Sequence, residues 1–281
     1  MATKMNQLAV IDHSNLLPIV PSAEDLAAIR EELSDMDRIP YGRIKIAAGG
    51  VNIFQVFEPG EEEAAPAQTI EGVIMLSHKS NGLWSKPFGS GDSKTPDCSS
   101  VDGVYGTVTE TGECVECASC PYNAFGSAKG GEGRGKACKN MRRLYIMRRG
   151  DIFPMVLTLP PTALSAYDSY RTKVMLGRKK MANVMTRISL KSAQNKDGVA
   201  YSTPIFEAVG VLDGVEAAAM RAYSDALNSS AQRVGVTADD APAEVQQEAA
   251  QPTVVDADAA AEVQAAFAEQ DASQDDFAPL A

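Results

Sequence analysis

The stretch "NMRRLYIMRRGDIFPMVLTLPP", residues 140–161, opens on a run whose two faces, taken as alternate residues, read as a strand. Leu144 and Ile146 fall on one face with Arg142 and Arg148, while Arg143, Tyr145, Met147 and Arg149 fall on the other. A period of two sustained over ten residues is a strand signal. The same alternation predicts a strand with a basic side. Past Gly150 the run "DIFPMVLTLPP" reads as a second, apolar strand that the double proline ends.

The pattern extends in both directions. Upstream, "RIKIAA" (43–48) and "VNIFQVF" (51–57) read as two strands joined at Gly49-Gly50 in a hairpin, and "IEGVIMLSHK" (70–79) as a third, after the solvated loop "EPGEEEAAPAQ". Downstream, "TALSAYDSYRTKVMLGRKKM" reads as a helix. Thr162 is its expected N-cap, and Arg178, Lys179 and Lys180 stand near its C-terminal end. "VMTRISLKS" (184–192) and "GVAYSTPIFEAVGVL" (198–212) complete the series as strands joined by a turn at Asn195–Gly198. About seven strands with one helix between strand groups predict a mainly β (α+β) protein. The layout suits an OB-fold-like Greek-key barrel whose strand face binds an oligonucleotide. Before it, "PSAEDLAAIREELSDMD" (21–37) has a capping-box-like start and apolar residues at helical spacing. The expected division is an N-terminal helical arm (1–40), an OB-like body (41–232) with an insertion at 85–140, and a tail (233–281).

Composition limits the class. A chain of 281 residues with 44% hydrophobic content holds one good-sized domain plus tails. Its start lacks a basic segment followed by an apolar block, and no apolar run has the roughly 18–20 residues that span a bilayer. The expectation is a soluble cytoplasmic protein. The net charge of −11 hides a sign change: residues 129–196 carry 16 Lys+Arg against 3 Asp+Glu, and residues 234–281 carry 11 acids and no base. A basic block beside an acidic tail suggests a polyanion-binding surface and a segment kept away from it.

From about 85 to 140 the chain is rich in Gly, Ser and Cys and nearly without periodicity. A segment of that length needs something other than an apolar core to hold it. Cys98, Cys114, Cys117, Cys120 and Cys138 all lie in it, and in a reducing compartment clustered cysteines favour a metal over disulfides. Cys117-x-x-Cys120 supplies a close pair, and Cys98 and Cys138 bracket the segment, a ligand pattern for tetrahedral zinc. Cys114 is a fifth thiol that could exchange for Cys98 or Cys117. The run C-x-x-C-x-x-C-P also matches three ligands of a [4Fe–4S] cluster, without the close fourth cysteine of a ferredoxin-type run. Sulfur-only ligation argues for a closed, structural site. The two histidines, His13 and His78, lie far from the cluster in sequence, and His78 reads as a packed or surface residue. "GGEGRGK" (130–136) lacks the spacing and the preceding strand of a phosphate loop, so it reads as a basic turn. Asp92, Asp97 and Asp102 read as turn acids rather than a nuclease centre.

Single strands are held by cations that follow the phosphates and rings on which bases stack. The candidate cations are Lys86, Arg142, Arg143, Arg148, Arg149, Lys179, Lys180, Arg187 and Lys191. Trp84 and Tyr145 are the leading candidate rings, with Tyr167, Tyr170 and Tyr201 behind them.

The blocks "GRIKIAAGG", "IEGVIMLSHKSNGLW", "PDCSSVDGVYG", "CASCPYNAFGS", "GKACKNMRRLYIMRRG", "LTLPPTAL" and "ISLKSAQNKDGVAYS" resemble, in this order over roughly residues 40–212, a largely uncharacterised family encoded by bacteriophages and mobile elements. The resemblance implies cysteine ligands at Cys98, Cys117, Cys120 and Cys138, with Cys114 a departure. It points to phage DNA metabolism, most naturally as a single-stranded DNA-binding protein. The tail composition predicts disorder, and its end, "DDFAPLA", is similar to the acidic tips of bacterial single-stranded DNA-binding proteins. Phe277, Pro279 and Leu280 are the residues that replication or recombination partners would grip there. Two other functions fit a zinc module: a nuclease or recombination factor, and a zinc-ribbon transcription regulator.

Overall fold

The computed structural model describes residues 41–84, 95–128, 135–151, 153–194, 200–212, 214–231 and 235–237, with the single positions Ala27, Glu31 and Asp240. Of the segment expected as an N-terminal helix, Ala27 and Glu31 are helical. The rest of it lies outside the described residues, as do Lys86 and the tail end with Phe277, Pro279 and Leu280.

Eleven strands form one mixed sheet: β1 Arg43–Ile46, β2 Phe54–Phe57, β3 Ala65–Ala67, β4 Thr69–Leu83, β5 Cys98–Ser100, β6 Tyr105–Val108, β7 Cys114–Glu116, β8 Lys139–Met147, β9 Met155–Leu159, β10 Val184–Gln194 and β11 Ala200–Val211. Their order is β3-β2-β1-β9-β8-β4-β5-β6-β7, with β10 joined to β4 and β11 to β10. The sheet is open: among the described residues the ladder does not return on itself. β4 is the reason. It is 15 residues long, with residues 69–73 paired to β10, 73–82 to β8 and 81–83 to β5. The register slips between Ile74 and Leu76, a bulge at Met75 that twists β4 where its partners change.

Both strand pairs expected as hairpins are antiparallel, and the turn expected at Asn195–Gly198 lies outside the described residues. β1 pairs antiparallel with β2, and Gly49 and Gly50 both take positive φ, 78° and 75°, which a side chain would resist. β10 pairs with β11 along its whole length. The predicted acidic loop contains β3, which extends the sheet beyond β2. Among the described residues, the one parallel pairing joins β1 to β9.

The helix after the double proline is α1, Leu164–Leu176, and a 3-10 turn at Pro161–Ala163 leads into it. Thr162 sits inside that turn, so it does not cap the helix. A second helix, α2 at Gly214–Ala231, lies where the sequence reading placed none. Its Ala217, Met220, Tyr223 and Leu227 recur at helical spacing and are buried with Val73, Met75, Met147 and Met185. On the opposite face, α1 buries Tyr167, Tyr170 and Val174 against Ile44, Phe54, Leu144, Ile146 and Leu157. Tyr170 bonds the Thr186 hydroxyl at 2.8 Å. No helix among the described residues is long and apolar enough to cross a membrane.

β8 keeps the predicted alternation: Leu144 and Ile146 pack toward α1, and Tyr145 and Met147 face the other way. It is a central strand, however, between β4 and β9. Residues on both of its faces are covered, and its arginines are paired rather than displayed.

Candidate metal centre and nucleic-acid interface

The cysteine segment is a meander of the short strands β5, β6 and β7. Between residues 101 and 128 only Gly106 and Cys117 are buried, so no apolar core holds it. Cys98 opens β5, Cys117 follows β7, Cys120 precedes a 3-10 turn at Pro121–Asn123, and Cys138 precedes β8. The backbone fixes these positions. The Cys117 N–H donates to the Val104 carbonyl at 2.8 Å, the Cys138 N–H to the Tyr122 carbonyl at 2.8 Å, and the Asn123 N–H to the Cys120 carbonyl at 3.0 Å.

Register sorts the five thiols. Cys98 lies opposite Val108, while Cys114 lies opposite the adjacent Thr107, which puts Cys114 on the other side of the ribbon. Cys114 is exposed. A Cβ at Gly106 would stand 3.0 Å from the Cys98 sulfur and 3.7 Å from the Cys117 sulfur, so the glycine leaves room beside both. Burial pushes the Cys138 thiol up to about 12, helped by Cys117, Cys120 and Cys98 nearby. Burial also raises Cys98, followed by Cys117, Cys120, Asp97 and Cys114. The shared contact at Gly106 places the Cys98 and Cys117 sulfurs near one another. Among the described residues, no three or more Cys, His, Asp or Glu side chains already converge as a ligand shell. A soft divalent cation suits this donor set: it would stabilise the thiolates that burial disfavours and draw the sulfurs together.

Three asparagines tie the segment to the sheet. Asn140 Nδ2 donates to Asn81 and to Asn123, each at 2.9 Å, and Asn123 Nδ2 donates to the Cys117 carbonyl at 2.7 Å. Lys136 Nζ donates to Asn123 and Asn140 and lies 4.6 Å from the centre of the Phe125 ring.

The proposed DNA contacts fare unevenly. Arg143 is 1% exposed and bound to Asp240 at 2.5 Å, so it does not face solvent as predicted. Arg142 lies over the Tyr167 ring. Arg148 pairs with Glu58 and Asp151, and Arg187 with Glu71 and Glu207. Tyr145, Tyr167 and Tyr170 are core rings rather than stacking platforms, since the bulk of an aromatic side chain wins most stabilisation when buried. Trp84 is half-buried, its ring folded back over Gly82, where a Cβ would meet it at 2.3 Å. Arg149, Lys180 and Lys191 are exposed, Lys179 and Tyr201 partly so.

The sheet brings together residues that sequence reading missed. Across β2, β1, β9, β8 and β4, one row holds Phe57, Arg43, Val156, Tyr145 and Leu76. The next row along the same face holds Gln55, Lys45, Thr158, Arg143 and His78, with Lys45 placed beside Thr158 by continuing the parallel register. Arg43 and Lys45 sit 5.3 and 4.9 Å from the centre of the Phe57 ring, partly exposed at the β1–β2 end. The alternation in "RIKI" carried this signal. Exposed rings on the cysteine segment, Tyr105, Tyr122 and Phe125, were missed as well.

His78 Nε2 meets the Tyr145 hydroxyl at 3.2 Å and Nδ1 meets the Lys79 carbonyl at 3.0 Å, so it is no ligand of the cysteine centre. Burial lowers its pKa first, and Arg143 and Arg142 lower it further, against the Lys79 and Val101 carbonyls. The folded state thus takes up the proton less readily than the unfolded chain. Stability is expected to fall as pH drops through the ordinary imidazole range, from about 6.5 downward. Chemical denaturation between pH 5.5 and 7.5 checks this, with His78→Gln expected to flatten the dependence.

Comparison with protein-family models, with curated proteins and with solved structures returns no match.

Proposed function

We propose that the chain is a zinc-stabilised single-stranded DNA-binding protein with little sequence preference, serving phage DNA replication or recombination in the host cytoplasm. The observation that carries the reading is the sheet face on which Arg43 and Lys45 flank the Phe57 ring and Thr158 and Arg143 continue the row. Cations beside a partly exposed ring on a β-surface suit a phosphate backbone with splayed bases. The face would work as the strand surface of an OB-type fold does, with the ladder left open. Zinc at Cys98, Cys117, Cys120 and Cys138 serves the architecture. Phe277, Pro279 and Leu280 would recruit replication or recombination partners.

A nuclease reading has less support. Asp102 is spent on its own turn, accepting from the Ser100 hydroxyl and the Val104 and Tyr105 N–H groups. The test is binding of a labelled oligothymidylate and of a duplex across a salt series. Single strands should bind more tightly, with log affinity falling by about 0.7 per phosphate contact for each tenfold rise in salt. Preference for one duplex sequence would favour a transcription regulator, and metal-dependent cleavage a nuclease.

A further inference from the structure

The segment after α2 returns to the sheet. Asp240 reaches the centre of the polar row, where its Oδ2 accepts from Arg143 Nη2 at 2.5 Å and from the Thr237 N–H at 2.9 Å, and its Oδ1 accepts from the Thr158 hydroxyl at 2.5 Å. Arg143 Nη2 also donates to the Gly235 carbonyl at 2.7 Å, and Val236 is buried beside them. Gly235, Val236, Thr237 and Asp240 therefore pack on the folded body, where the tail was expected to begin at 233.

This pocket offers an anion a guanidinium and a hydroxyl, with a lysine in the same row, and both oxygens of the carboxylate are used. A guanidinium and a hydroxyl are also the groups that hold phosphate oxygens. Stability alone accounts poorly for an ion pair at the centre of a sheet face, since an apolar pair of like volume is commonly neutral or better. The pocket adjoins Arg43, Lys45 and Phe57, so a strand following those cations would meet it next.

We propose that Arg143, Thr158 and Lys45 form a phosphate subsite of the single-strand face, and that the Asp240 carboxylate stands in it where a phosphate of the nucleic acid binds. The subsite deepens the proposed function and rests on it. Withdrawal of the Asp240 carboxylate opens the site, and the strand's phosphate replaces it at Arg143 and Thr158.

The test compares oligothymidylate affinity at about 0.15 M salt, where distant acids are screened. The proteins are the full chain, its Asp240→Asn variant, that variant carrying Arg143→Gln as well, a chain ending at residue 233 and a chain ending at residue 241. The last retains Asp240 but lacks nine of the tail's 11 acids. Asp240→Asn and the 233 chain should bind roughly tenfold tighter, with a salt slope steeper by about 0.7 for one added phosphate contact. The 241 chain should stay within about twofold of the full chain, and Arg143→Gln should abolish the gain. The proposal is overturned if folded Asp240→Asn gains nothing, or if the 241 chain gains as much as the 233 chain. Should Asp240→Asn fail to fold, the 233 chain decides. If no form binds oligothymidylate, the DNA reading itself fails. Calorimetric titration of inorganic pyrophosphate into Asp240→Asn then decides the pocket: binding that Arg143→Gln removes sustains it, and no binding overturns it.

Discussion

Replacing Cys138 by serine is expected to unfold residues 98–138 while leaving the two helix-covered cores folded. The strands of that segment are three or four residues long, and a meander of this size has too little core to persist unaided. Zinc at a four-thiolate site supplies about 10–16 kcal/mol, far more than the asparagine network can. The loss should spread into β8, because Cys138 directly precedes Lys139, Asn140 and Met141, which pair with Gly82, Asn81 and Ser80. Elemental analysis should find about one zinc per chain in the native protein and none in Cys138→Ser or Cys117→Ser. Limited proteolysis should cut the segment in those variants and after chelation. Cys114→Ser, on the far side of the ribbon, should behave as the native protein. Iron with acid-labile sulfide, no metal at all, or an equally protected Cys138→Ser segment would each refute the zinc centre.

The second large effect is expected on the open end of the sheet face. Arg43→Gln with Lys45→Gln should reduce the salt slope of single-strand binding by about 1.4, two phosphate contacts at about 0.7 each, and weaken binding on the order of tens of fold near 0.1 M salt. Phe57→Ala should cost a further ~1–3 kcal/mol if a base stacks there. The fold should tolerate the two cation changes, because the intervening Ile44 and the following Ile46 supply the core side of β1. Equal melting temperatures check that, and an unchanged affinity and slope would remove this face from the proposed function.

Local pattern made much of the framework legible. Alternation in "RIKI", "NMRRLYIM" and "VMTRISLKS" marked β1, β8 and β10, since period two is a property of a single strand. The paired glycines at 49–50 marked the β1–β2 hairpin because a positive φ is a local demand. The helix α2 was missed although Ala217, Met220, Tyr223 and Leu227 repeat correctly, because its alanine-rich sequence shows only a thin apolar stripe. The cysteine spacing singled out Cys98, Cys117, Cys120 and Cys138, but placing Cys114 on the side of the ribbon opposite Cys98 needed the β5–β6–β7 register.

The surface is where sequence reading fell short. Arg142, Arg143, Arg148 and Arg187 stood in a block of strong positive charge, yet each meets an acid: Asp168 within the block for Arg142, and Asp240, Glu58 and Glu71 from outside it for the others. Composition counts charges and cannot say which are already paired. By itself, the sequence determined the strands β1, β2, β4, β8, β9, β10 and β11, the helix α1 and the change of sign along the chain, because each depends on residues near in sequence or on totals. Tertiary structure alone decided that β8 is central, that the sheet stays open at β4, and that Asp240 lies on Arg143. Those outcomes depend on contacts between residues as far apart in sequence as Thr69 and Ser189, which form only when non-local strands pair and exclude water from the face between them.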